Sequence, residues 1–118
     1  MGTFRHPVRL ASLDGSKIRD VEAIVDTGAF YTTVPASLCE DLAMSREGSR
    51  SFQLADGSRL EMDYGQAQAT INGESVTTIV VFGADDSLCL LGAYTLEGLG
   101  LIVDPVNQRL IPGTLLMC

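Results

Sequence analysis

Tight-turn residue pairs recur through this chain between short apolar runs, and that spacing limits the folds open to it. Asp14-Gly15, Asp56-Gly57, Asn72-Gly73 and Asp104-Pro105 each separate segments rich in Val, Ile, Leu and Thr. Asp-Gly and Asn-Gly supply the left-handed backbone that two-residue hairpin turns need, and Asp-Pro starts turns readily. The spacing predicts successive hairpins. "PVRLASL" (7–13) alternates apolar and polar residues and leads through "DGS" (14–16) into "VEAIVD" (21–26). "SFQLADGSRLEMDYG" (51–65) reads as strand, turn, strand, and so do "AQATINGESVTTIVVFG" (67–83) and "LIVDPVNQRLI" (101–111). Two short helices interrupt the strands. "PASLCEDLAM" (35–44) opens on Pro35, which suits a first helical turn, and places Leu38, Leu42 and Ala43 on one face. "AYTLEGLGL" (93–101) is closed by Gly98 or Gly100.

The expected class is mostly β, and 118 residues make one domain over positions 1–118. Hydrophobic content of 46% against 19% charged residues indicates a folded chain. Its two halves also rhyme. Each gives strand, turn, strand, a small-residue motif ("IVDTGA" and "CLLGA") and a short helix, which suggests two copies of one unit about a pseudo-dyad.

Charge and cysteine usage narrow the function. Eight basic residues against fifteen acidic ones give a net charge of −7, and Lys17 is the one lysine. With no basic stripe to neutralise phosphates, nucleic acid is not an expected partner. No apolar run approaches the ~18 residues of a membrane span, and the opening "MGTFRHPVRLASLDGSK" lacks the apolar stretch of a signal peptide. No membrane partner and a cytoplasmic location are expected. Cys39, Cys89 and Cys118 form neither a disulfide framework nor a zinc pattern, and read as thiols of a reducing compartment. His6, the single histidine, sits in the first strand segment, so a Cys–His nucleophile is not favoured. Asp14, Glu40, Asp41 and Asp104 show no ligand spacing, and Asp85-Asp86 reads as a solvated loop. Neither a metal nor another cofactor is expected.

One stretch stands apart. In "IVDTGAFYTTVPASL" (24–38) an aliphatic strand ends on Asp26, with Thr27 and Gly28 following at once. Read alone, Asp-Thr-Gly is compatible with an ordinary strand-end turn. Its context argues otherwise. "VDTGA" (25–29), a central hairpin and "LLGAYTLEGLGLIVDP" (90–105), in that order, resemble the retropepsin-type aspartic proteases, bacterial relatives included. The resemblance runs from about Val8 to about Pro112. It departs at the ends, where "VNQRLIPGTLLMC" (106–118) does not follow the viral pattern, and at the central hairpin, where "LADGSRL" (54–60) replaces a run of glycines.

The resemblance implies a retropepsin-like closed β-barrel or sandwich with two short helices and a flap hairpin. It implies aspartic endopeptidase activity on a peptide or protein substrate, with a catalytic dyad of two aspartates. One carboxylate takes a proton from water while the other polarises the scissile carbonyl. Two such groups roughly 3 Å apart share one proton. This chain offers Asp26, since the second-half motif reads Leu90-Leu91-Gly92 where the first reads Asp26-Thr27-Gly28. A homodimer is therefore expected, with two Asp26 side chains meeting at a two-fold axis and an interface that includes the first and last strands. Asp26 is the expected catalytic residue, supported by Thr27, bonding across the dimer, and by Gly28, aiming an N–H at the carboxylate. Ala29 leaves room for the substrate backbone. Ala55, Asp56, Gly57 and Ser58 form the expected flap tip. Leu88 and Leu90 are expected substrate contacts, with Ile24 beside Leu88 in the apolar subsites. The competing function is a catalytically silent retropepsin-like module that dimerises or binds peptides. The intact Asp26-Thr27-Gly28 favours the enzyme, because such a module has no need of a buried acid.

Overall fold

The computed structural model describes residues 3–113. Strands β1 (Phe4–Ala11) and β2 (Ile18–Val25) form the first hairpin, followed by β3 (Thr32–Pro35) and helix α1 (Ala36–Asp41). Strands β4 (Gly48–Gln53), β5 (Arg59–Ile71) and β6 (Glu74–Gly83) form two consecutive hairpins. The two-residue β7 (Leu90–Leu91), helix α2 (Ala93–Gly98), and the hairpin β8 (Leu101–Asp104) and β9 (Arg109–Pro112) complete the chain.

Seven strands join in the order β1-β2-β7-β3-β6-β5-β4, and β1 also pairs with β5. The hydrogen-bonded ladder thus returns to its starting strand, while β8 and β9 make a separate two-stranded sheet. The mostly-β character and the two short helices agree with the sequence expectation.

The pairings have internal symmetry. Exchange β1, β2 and β3 for β5, β6 and β7, and the pairings among these six strands map onto one another, while β4–β5 and β8–β9 have no counterpart. The antiparallel β1–β2 maps to β5–β6, and the parallel β2–β7 maps to β6–β3. The antiparallel β1–β5 and β3–β7 map onto themselves. The order of the sequence motifs suggests a different match. By pairing, the end of β2 corresponds to the end of β6, so the counterpart of Asp26 lies near Gly83 and Ala84. Leu90 and Leu91 instead correspond to Thr33 and Val34 in β3. The reading that set Leu90-Leu91-Gly92 against Asp26-Thr27-Gly28 is corrected accordingly. Near the β6 end, Asp85 is committed elsewhere. Its carboxylate accepts the Ser37 N–H at 2.9 Å, in the first turn of α1.

Alternation explains which face each strand buries. In β1, Val8 and Leu10 point inward while Arg5 and Arg9 face solvent. In β5 the inward set is Gly65, Ala67, Ala69 and Ile71. The expected break at Gly65 is absent, and β5 runs through it. A Cβ there would lie 2.3 Å from the Ser45 carbonyl oxygen, so glycine lets the loop after α1 cross the strand. Val80, Val81 and Phe82 are all buried where β6 runs parallel to β3, covered on both faces.

Helix α1 is shorter than expected. Pro35 ends β3 with φ −52° and ψ 138°, and helical geometry starts at Ala36. Ala43 has φ 54° and is exposed, so the inward pair is Cys39 and Leu42. Helix α2 buries Thr95, Leu96 and Leu99, and Gly100 (φ 68°) turns the chain into β8. Among the described residues no helix is long and apolar enough to cross a membrane.

Candidate active site

Asp26 stands at the end of β2, and its backbone is tied to the second half of the chain. β2 runs parallel to β7 with Ile24 opposite Leu90 and Val25 opposite Leu91. The Ile24 N–H donates to the Cys89 carbonyl at 2.8 Å, and the Asp26 N–H donates to the Leu91 carbonyl at 3.1 Å. The chain then turns. The Ala29 N–H donates to the Asp26 carbonyl at 3.1 Å, and the Gly28 N–H donates to Asp26 Oδ1 at 3.0 Å. Two more bonds complete the clasp, from the Ala93 N–H to the Ala29 carbonyl (2.9 Å) and from the Tyr94 N–H to the Phe30 carbonyl (2.8 Å). Gly92 permits this approach, since a Cβ there would lie 2.5 Å from the Tyr31 carbonyl carbon.

Beneath the clasp lies a buried chain of hydroxyls that sequence reasoning missed. Thr32 Oγ1 is 2.7 Å from Thr95 Oγ1, which is 2.8 Å from Thr78 Oγ1. The Gly92 N–H donates to Thr32 Oγ1 at 3.1 Å. These bonds join β3, α2, β6 and the turn after β7. Each threonine reads as an ordinary strand or helix residue, and only the tertiary fold brings the three together.

The remaining expected residues fall into two groups. Thr27 is exposed, and among the described residues its hydroxyl has no hydrogen-bond partner. Ala29 and Leu90 are half-buried beside the clasp, and Leu88 is 53% exposed in the loop before β7. Ala55, Asp56, Gly57 and Ser58 form the exposed β4–β5 turn. The Gly57 N–H donates to the Leu54 carbonyl (2.9 Å), and the Leu54 N–H donates to the Ser58 carbonyl (2.8 Å). The Ser58 hydroxyl and N–H both bond the Asp56 carboxylate and hold its pKa below the usual range. Residues Arg59–Asp63 pair with β4 alone, because β6 pairing begins at Tyr64. The hairpin is therefore a two-stranded arm beyond the main sheet. Arg46 braces its base, bonding Asp63 at 2.9 Å and Glu40 at 3.0 Å while lying 4.3 Å from the Phe82 ring centre.

A cleft of about 140 Å³ borders Asp26 and Thr27. Its other walls include Phe4, Val25, Val103, Pro105 and Gln108, and none come from the β4–β5 turn. Phe4, Val103 and Gln108 are site neighbours that sequence reasoning did not find, since nothing in the local pattern links positions 4 and 108 to 26. The thiols sit elsewhere. Cys39 is buried, and desolvation pushes its pKa up to about 12, which suits an inert core thiol. Burial also raises Cys89, and Cys118 lies outside the described residues.

No protein-family model matches the chain, and no curated protein matches it. Solved structures do. A retropepsin-like aspartic protease from Rickettsia conorii superposes with TM-score 0.58 at 19% identity, over 88% of this chain and 89% of that one. EIAV protease in complex with the inhibitor HBY-793 gives TM-score 0.57 at 18% identity, over 84% and 89%. The fold is of the retropepsin type. Simian foamy virus (mac) protease, in its solution structure, is similar at TM-score 0.54 and 18% identity, covering 78% of this chain and 92% of the viral one. The retropepsin-type fold spans most of each protein compared. At these identities the likeness concerns architecture, so chemistry must be argued from this chain's own residues.

Proposed function

We propose that this chain is one half of an aspartic endopeptidase whose active site forms between two copies. The observation that carries this reading is the placement of Asp26. It is a strand-end carboxyl in a retropepsin-type fold, held by the Leu91 carbonyl through its N–H and facing the Gly28 N–H through Oδ1. One chain supplies a single carboxyl of this kind, and Asp85, near its pseudo-symmetric place, is engaged with α1. A second copy related by a two-fold axis beside Asp26 supplies the other.

The chemistry follows from two carboxyls sharing one proton. The ionised Asp26 takes a proton from water, and the protonated one donates to the carbonyl oxygen as the water adds. Gly28 keeps its N–H on the ionised member. Thr27, exposed and with its hydroxyl unpartnered among the described residues, bonds across the axis below the pair. Ala29 leaves room for an extended peptide, which lies as an added strand held by main-chain bonds. The β4–β5 arm acts as the flap, with Ala55, Asp56, Gly57 and Ser58 at its tip, and excludes water on closure. Leu88 and Leu90 contact apolar substrate side chains.

The test is cleavage of a peptide library read by mass spectrometry, with wild type beside Asp26→Asn. The expected result is cleavage by wild type and none by the folded variant. Equal turnover by a pure Asp26→Asn sample contradicts the assignment. Folded wild type without cleavage of any library member, at concentrations where it is dimeric, favours the silent peptide-binding module.

A further inference from the structure

Aromatic residues are scarce in this chain, with four Phe, three Tyr and no Trp, and three of them gather at one place on the surface. Phe30, Tyr31 and Tyr94 pack ring against ring. Their centres lie 4.8 Å (Phe30–Tyr31), 5.7 Å (Phe30–Tyr94) and 5.8 Å (Tyr31–Tyr94) apart. The two contacts of Tyr31 are edge-to-face, an arrangement that rings favour. The cluster is nevertheless not core, since Phe30 is 57% exposed and Tyr94 41%. Contiguous exposed apolar surface marks a binding site, whereas single exposed residues need no explanation.

The rings are held in place beside the candidate acid. Phe30 follows Asp26 by four residues on one loop, and Tyr94 lies in the first turn of α2. The Tyr94 N–H donates to the Phe30 carbonyl at 2.8 Å, so the backbones that carry these two rings form one unit. The Ala93 bond to Ala29 ties that unit to the Asp26 turn. A platform ordered before binding loses little freedom when it binds. None of the three rings lines the cleft beside Asp26 and Thr27, so the platform is a separate surface.

Charge selects the occupant. Ring faces are negative and attract cations. Among the described residues, the cations that stack on rings are Arg46 on Phe82 and Arg50 on Tyr64, which leaves Phe30, Tyr31 and Tyr94 uncovered. Acidic groups flank the platform. Asp26 stands at the start of its loop, and Glu97 is exposed three positions after Tyr94 on the outer face of α2. The Ala93 and Tyr94 N–H groups are engaged by carbonyls, so they do not oppose a cation. The net charge of −7 adds a field that draws basic peptides and repels acidic ones. An uncharged aliphatic side chain gains nothing from that field.

We propose that Phe30, Tyr31 and Tyr94, flanked by Glu97, form a platform that binds a lysine or arginine side chain of the peptide substrate. That the peptide is a substrate rests on the peptidase reading, whereas the platform itself lies within one chain.

The test is equilibrium binding of a peptide array to the Asp26→Asn chain, which leaves the peptides uncut. The array scans Lys, Arg and norleucine through each position of an otherwise neutral sequence. Norleucine keeps the aliphatic stem of lysine without its charge. At one position Lys or Arg is expected to bind about 5- to 10-fold more tightly than norleucine, and the difference should shrink as salt rises. Phe30→Leu and Tyr94→Leu, added to this background, keep apolar surface but remove ring faces. Together they are expected to cut the preference to about 2-fold or less, with Glu97→Gln lowering it in part. Both rings are exposed, so these variants are expected to keep the parent circular dichroism spectrum. Norleucine bound as tightly as Lys and Arg at every position overturns the proposal. So does a basic preference that survives both leucine substitutions, and so does an array that binds nowhere. Because binding is read without cleavage, the two readings separate. A basic preference lost with the rings supports the platform even if wild type cleaves nothing. An active wild type whose peptides bind without regard to Lys or Arg removes the platform and leaves the peptidase standing.

Discussion

The N–H of Asp26 donates to the carbonyl of Leu91 at 3.1 Å, across a parallel pairing between residues 65 positions apart in sequence. That bond fixes the candidate acid to the second structural unit of the chain. What holds Leu91 in place therefore also holds Asp26, and the buried threonines and Gly92 become testable parts of the site.

Thr95→Val should destabilise the fold. It removes the central hydroxyl of the Thr32–Thr95–Thr78 chain and leaves two buried hydroxyls short of a partner. The expected loss is about 1–3 kcal/mol in urea unfolding. Thr95→Ser, which keeps the hydroxyl, should lose clearly less. Equal losses for the two variants would point to methyl packing as the cause.

Gly92→Ala should damage the site more than its size suggests. The added Cβ meets the Tyr31 backbone at 2.5 Å, and backbone cannot swing aside as a flexible side chain can. Overpacking of this kind costs about 1–3 kcal/mol. Displacing the 26–31 loop by about 1 Å should also lower kcat/KM by about 10²-fold. Unfolding and peptide cleavage measured on the same sample check both effects.

Acid should withdraw the support that Asp14 gives the β1–β2 turn only as pH falls below the usual carboxyl range. The Ser16 N–H, then the Ser12 and Ser16 hydroxyls, lower the Asp14 pKa from 3.8 to about 2. A carboxyl lowered in the folded state stabilises it above the unfolded pKa, and that contribution fades as pH falls through the folded one. The window is therefore pH 4 down to 2. NMR titration of the Asp14 side chain should give a midpoint near the lower end. Asp14→Asn should flatten the acid dependence of stability in this range, and an unchanged slope would contradict the assignment.

Peptide cleavage should follow a bell-shaped pH profile with a mildly acidic optimum, because the active pair carries one proton. Activity rising steadily through pH 9 would contradict a shared-proton pair. EDTA should have no effect on the rate.

The hairpins were legible because their turns are written in local residue pairs. Gly15, Gly57 and Asn72 all adopt positive φ where Asp-Gly and Asn-Gly marked them. The parallel pairings were not. β7 is two residues long, and its partners β2 and β3 are chosen by tertiary packing, so matching motifs by order set Leu90 and Leu91 against the wrong segment. Pro35 shows the same limit at an element boundary. Its fixed φ suits both a first helical turn and an extended cap, and its ψ of 138° chose the second. Asp26 could be singled out only through the ordered set of "VDTGA", a central hairpin and "LLGA", since an aliphatic run also ends in a carboxyl at Asp104. Phe4, Val103 and Gln108 could not, because what gives them meaning is a cleft that forms only on folding. The expected interface role of the last segment falls partly on residues 114–118, outside those described.

The central claim is that one chain carries half of the active site. Specific activity and sedimentation measured on one dilution series test it most directly, with excess Asp26→Asn added in a parallel series. Specific activity should fall as dimers dissociate, and the variant should poison the wild type by forming mixed dimers with one good aspartate. Full specific activity from a sample shown to be monomeric, undiminished by the variant, would contradict it.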